Sequence, residues 1–111
     1  MLEGFTMEQE AKILTNAIEK NGEDAQIVVA IEECSELIKA LTKYLRFKAD
    51  PEKVEERLRD ITKSLLINSV REEVADVSIM LNQLELMFGQ VNDYEVAKLT
   101  SLKKRLEGKK K

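Results

Sequence analysis

The chain has 111 residues, 43% of them apolar and 35% charged, with one cysteine, no histidine and a formal net charge of −3. These figures fit a single domain spanning residues 1–111. They exclude an internal disulfide, a zinc site built on Cys and His, and the Glu-x-x-His pairs of di-iron bundles. No apolar run approaches the ~18 residues of a membrane span, and Met1-Leu2-Glu3-Gly4 lacks the basic-then-apolar pattern of a signal peptide, so no membrane association and a cytoplasmic location are expected.

Abundant Leu, Glu and Lys with a single proline predict an all-α chain. Thr6-Met7-Glu8-Gln9 fits a capping box and Gly22 a C-terminal stop, which predicts a first helix over about 7–20. Asp24 is the expected cap of a second helix continuing through Lys48. Its positions Ile27, Ala30, Cys34, Leu37, Leu41 and Tyr44 follow the 3-4 spacing of one buried face. Asp50-Pro51 predicts a new helix start, carrying a stripe of Val54, Leu58, Ile61 and Leu65. A second stripe runs Val70, Val74, Val77, Leu81, Leu84 and Phe88. The change of phase between the two predicts a bend or short break near 67–70. Gly89 closes this segment. Asn92-Asp93-Tyr94-Glu95 resembles another capping box, opening a last helix to about Leu106. No segment alternates as a strand does, so the expected architecture is a compact antiparallel bundle of about four to five helices.

Charge is unevenly distributed along this frame. Residues 1–96 hold 11 Lys/Arg against 20 Asp/Glu, and residues 97–111 hold seven against one. The acidic body argues against stable nucleic-acid binding. Lys109, Lys110 and Lys111 read as a solvated helix end favourable to the helix dipole.

Two acidic pairs stand out. Glu33 and Glu36 lie three residues apart on the second helix, and Glu73 and Asp76 repeat that spacing further on, so each pair projects from one helix side. Both adjoin apolar stripes, and positions 37, 77 and 80 hold Leu, Val and Met where a neutralising base would help Glu33, Glu73 or Asp76. Carboxylates crowded against a core resist ionisation, and a divalent cation is the simplest partner that reverses the cost. All-oxygen ligands favour a hard ion, chiefly Mg²⁺ with Mn²⁺ possible, and Mg²⁺ takes further oxygens from phosphates. Glu32 divides evenly between a ligand or outer base and a solvated residue. Cys34 reads as a small buried apolar side chain.

The wording of these segments is similar to one family. Ala30-Ile31-Glu32-Glu33-Cys34-Ser35-Glu36-Leu37 and Arg71-Glu72-Glu73-Val74-Ala75-Asp76-Val77 resemble the paired acidic motifs of the MazG-like all-α nucleoside triphosphate pyrophosphohydrolases. Lys98-Leu99-Thr100-Ser101-Leu102-Lys103-Lys104-Arg105 is similar to that family's closing helix, and the resemblance covers residues 24–106. It implies Mg²⁺-dependent hydrolysis of a (deoxy)nucleoside triphosphate to the monophosphate and pyrophosphate. Glu33, Glu36, Glu73 and Asp76 would hold metal, Glu32 or Glu33 would orient or deprotonate water, and Lys98 and Arg105 would meet the phosphates.

The chain also departs from the family. The spacer 37–72 is longer than many relatives carry, and Leu102 stands where many have Asn. Without tryptophan, base stacking would fall to Phe5, Tyr44, Phe47, Phe88 or Tyr94, each better placed as core or interface. A bundle this thin leaves apolar surface that a homodimer or homotetramer would bury, which the resemblance also implies. Two other readings remain: a phosphoribosyl-ATP pyrophosphohydrolase relative, and a noncatalytic metal-binding interaction module.

Overall fold

The structure is a computed structural model that describes residues 2–109 apart from the side chain of Lys109; Lys110 and Lys111 of the expected solvated end lie outside the described residues. Four α-helices follow one another: α1 (Met7–Asn21), α2 (Glu23–Ala49), α3 (Arg59–Phe88) and α4 (Asn92–Lys109), with two short 3₁₀ turns, Pro51–Lys53 and Glu56–Leu58, between α2 and α3. The all-α expectation holds, and among the described residues there is no strand. No helix among them is long and apolar enough to cross a membrane.

The N-terminal capping box forms as its residues dictate. Thr6 Oγ1 accepts from the Gln9 N–H at 3.0 Å and Gln9 Oε1 accepts from the Thr6 N–H at 2.9 Å. The α1–α2 junction is a single residue, Gly22 at φ +89°, a backbone state that side chains disfavour. Asp24 therefore does not cap α2: the helix has already begun at Glu23, and no side chain caps it. Asp50-Pro51 likewise opens a 3₁₀ turn rather than an α-helix, with Asp50 at φ −144° and no side-chain cap bond. Arg59 Nε fastens this turn by donating to the Pro51 and Val54 carbonyls, both at 3.0 Å.

No break occurs near 67–70; α3 is continuous through 30 residues. The two stripes are two sides of one helix. The line facing α2 is Thr62, Leu66, Val70, Glu73, Val77, Met80 and Leu84, all buried or half-buried, whereas Ile61 and Leu65 are about 60% exposed. The α2 line opposite it is Gln26, Ala30, Glu33, Leu37, Ala40, Tyr44 and Phe47. Both follow the 3-4 spacing of a helix face. Cys34 and Leu41, expected inside, are exposed, because they sit roughly a quarter-turn around from that line. The small side chains of Ala30 and Ala40, 5% and 6% exposed, let the backbones approach.

α1 packs across the open end of this hairpin, where α2 begins and α3 ends. Leu14 is buried there, and Gln83, 2% exposed, donates from Nε2 to the Leu14 carbonyl at 3.3 Å. Asn82 Nδ2 donates to Glu10 Oε1 at 3.0 Å. α4 behaves differently. Every residue from Gly89 to Gly108 is exposed, including Leu99 at 65% and Tyr94 at 67%. The radius of gyration, 18.5 Å, exceeds the ~13 Å of a compact chain this long, so three helices pack and the fourth projects. α2 and α3 pair along their length, α1 lies across one end and α4 projects.

Candidate metal centre

The antiparallel α2–α3 pairing brings the two acidic motifs level with each other. Glu33 occupies the α2 line that faces α3, and Glu73 the α3 line that faces α2. Asp76, one turn beyond Glu73, stands at the rim. One carboxylate oxygen from each of the three lies within 4.8 Å of the others. Glu33 and Glu73 are half-buried and Asp76 is exposed.

The electrostatics follow from that crowding. Glu33 is pushed above its ordinary value of 4.5 by desolvation first, then by the charge of Asp76, a side-chain hydrogen bond with Asp76, and the charges of Glu73 and Glu36. Glu73 is also pushed up, by desolvation first and then by Asp76, Glu36 and Glu72. Among the described residues no cation pairs with the three acids, and Glu73 Oε2 is sealed from solvent without a hydrogen-bond partner. A buried carboxylate oxygen left bare is costly.

The donor set fits a hard divalent ion. On Mg²⁺, opposite ligands stand about 4.2 Å apart and adjacent ones about 2.9 Å, so oxygens within 4.8 Å of one another would draw together to share one ion. Three carboxylates leave room for water or phosphate oxygens.

The other anticipated site residues fall elsewhere. Glu36 is exposed, outside the tight trio, and pairs with Lys39 at 3.3 Å, although it is close enough to raise both Glu33 and Glu73. Glu32 is exposed on the outer side of α2. Lys98 and Arg105 lie on the projecting α4, both exposed, and neither forms a salt bridge among the described residues. Gln83 escaped the sequence reading altogether; its buried, unpartnered Oε1 sits one line along from the acids. Its position in the phase of Asp76 and Met80 was the available signal.

No protein-family model matches the chain, and no curated protein or solved structure matches it significantly.

Proposed function

We propose that the chain is a Mg²⁺-dependent nucleoside triphosphate pyrophosphohydrolase, cytoplasmic, acting as a homodimer or homotetramer. One observation carries the reading: three carboxylates converge from two antiparallel helices, and the most enclosed of them has an oxygen with no partner. Structural acids on a helix surface are solvated or paired, as Glu36 is. These are neither.

Glu33, Glu73 and Asp76 would hold the ion, and Glu36, released from Lys39, would complete the set. The ion supplies Lewis acidity, polarising the phosphate chain and lowering the pKa of water. Glu33, pushed above its ordinary value by desolvation and by the charge of Asp76, would be a stronger base than an ordinary carboxylate. It or Glu32 takes the proton of the attacking water as the oxygen bonds to the α-phosphorus and the bond to the bridging oxygen breaks, releasing pyrophosphate. Lys98 and Arg105, seven residues and so about two turns apart on one side of α4, would neutralise phosphate charge, Arg105 through a bidentate fork.

The deciding assay combines Mg²⁺, a panel of ribo- and deoxynucleoside triphosphates and pyrophosphate detection. Pyrophosphate that disappears in Asp76→Asn and Glu73→Gln is expected. Release of orthophosphate alone would mean attack at another bond. One observation favours a second reading, a noncatalytic metal-binding module: among the described residues no cationic side chain pairs with the acid cluster. That reading expects Mg²⁺-dependent thermal stabilisation with no hydrolysis of any triphosphate.

A further inference from the structure

The side of the α2–α3 hairpin that carries Glu36 and Asp76 also carries two ammonium groups. Lys39 and Lys43 follow Glu36 by three and seven residues on α2, which sets them about 4.5 and 10.5 Å farther along its axis. Lys43 returns to within about 20° of the bearing of Glu36. Cα–Cβ bonds tilt toward a helix's N-terminus, which inclines both side chains back toward the acids. The basic residues Lys63 and Arg71 of α3 do not share this side. Each is about 140° around the axis from Asp76, and Arg71 donates to Asn68 Oδ1 at 3.4 Å.

Lys39 already has a hold on the edge of the cluster. Its Nζ lies 3.3 Å from Glu36 Oε1, and Glu36 is near enough for its charge to act on both Glu33 and Glu73. Glu36 thus stands between an ammonium outside and the trio within. The side chains of the pair are 67% and 52% exposed, and an ion pair this open is held weakly. A divalent ion in the trio attracts the fourth carboxylate more strongly than one ammonium does, and it repels that ammonium. Once Glu36 turns inward, Lys39 is left beside a dication without a partner. An anion that touches both cations is the arrangement that satisfies them.

We propose that Lys39 holds the place of the ion at Glu36 and, once displaced, becomes the first phosphate ligand of the site, with Lys43 the second. This role rests on the metal reading of Glu33, Glu73 and Asp76. It adds a source of positive charge on the same hairpin as the acids, independent of the projecting α4. A polyphosphate chain leading away from the ion along α2 meets Lys39 and then Lys43, whose ammonium groups donate charge-assisted hydrogen bonds to its oxygens. Without phosphate, Lys39 competes with the ion for Glu36; with phosphate it does not. Ion and polyphosphate therefore strengthen each other's binding through Lys39, and by linkage the gain is equal in both directions.

Calorimetric titration of the full chain with Mg²⁺ alone, and with inorganic tripolyphosphate at saturating Mg²⁺, tests this without nucleotide turnover. Lys39→Met should bind Mg²⁺ alone at least about two-fold more tightly, because the competing charge is gone. It should bind tripolyphosphate at least about ten-fold more weakly, and Lys39→Met with Lys43→Met weaker still. A lost helix-surface contact does not produce those opposite signs. Lys39→Arg keeps the charge and should return the tripolyphosphate Kd to within about three-fold of wild type. Arg71→Met removes an equal charge turned away from the acids and should move neither constant by more than about two-fold. Unchanged tripolyphosphate affinity in the double variant, weaker Mg²⁺ binding in Lys39→Met, or an equal loss in Arg71→Met overturns the assignment. So does a wild type that binds no tripolyphosphate beside saturating Mg²⁺. A wild type that shows the expected pattern yet releases no pyrophosphate from any nucleoside triphosphate keeps the lysine assignment and loses only the hydrolase reading.

Discussion

The α2–α3 hairpin and α4 are built from similar material, yet one packs and the other does not. Both are amphipathic, with apolar residues at 3-4 spacing and charges between them. The hairpin strands of helix have each other's inner lines to cover, with alanines at 30 and 40 allowing close approach. On α4, Leu99, Leu102 and Leu106 are left exposed. Amphipathicity therefore states that a helix requires a neighbour, without stating which one. The same contrast governs charge. Glu33 and Glu73 are perturbed because a facing helix removes water from them, and that desolvation is the first cause of both shifts.

The sharpest way to break this comparison is to remove one converging carboxylate. Asp76→Asn should lower Mg²⁺-dependent pyrophosphate release by at least about 100-fold, beyond the 10–100-fold of lesser changes around metal sites. Glu36→Gln should cost less, since Glu36 stands outside the trio and already has Lys39. Equal losses would mean that all four acids bind as one set.

Packing gives the next effect. Met80→Ala, at 7% exposure on the inner line of α3, should destabilise by about 2–4 kcal/mol in urea titrations. Leu99→Ala on α4, at 65%, should stay within about 0.5 kcal/mol for a protein kept dilute enough to be monomeric. A large loss from Leu99→Ala would show α4 docked in solution.

The basic pair on α4 tests whether that helix reaches the acids. Lys98→Ala with Arg105→Ala should raise KM for the triphosphate with little change in melting temperature. Unchanged kinetics would remove α4 from the site.

A smaller, directional effect comes from pH. Glu33 and Glu73 titrate above 4.5 when folded, so the native chain binds more protons than the unfolded one in the window just above that value. Their contribution to stability is present below 4.5 and is lost as pH rises through the raised values. In chelator, the melting temperature should therefore increase as pH falls from neutral towards 5, and Mg²⁺ should abolish or reverse the trend. Asp76→Asn removes a repelling charge, so in chelator it should melt no lower than wild type and show a weaker pH slope. A clear drop in its melting temperature would contradict this.

How much was written locally can be judged residue by residue. Thr6 and Gln9 form their capping box because both partners lie within four residues. Gly22 and Gly89 stop helices at positive φ for the same local reason. The carboxylate pairs were visible because residues three apart share a helix side whatever surrounds them. The bend or short break expected near 67–70 does not form, because one helix can carry a stripe for each of two neighbours and a change of stripe phase does not require a change of axis. Cys34 and Leu41 read as inward for a related reason: the α2 pattern blends an inner line with an outer apolar stripe, and apolarity alone does not separate them.

The sequence by itself determined the helices, most of their ends and the acidic pairs, since these depend on backbone hydrogen bonding and spacing within a few residues. Only the tertiary structure decided that Glu33 rather than Glu36 joins Glu73 and Asp76, that Cys34 faces outward, and that α4 stands free. Those outcomes turn on rotation about a helix axis relative to a partner, where one residue's step is about 100° and a neighbouring helix chooses which arc loses its water.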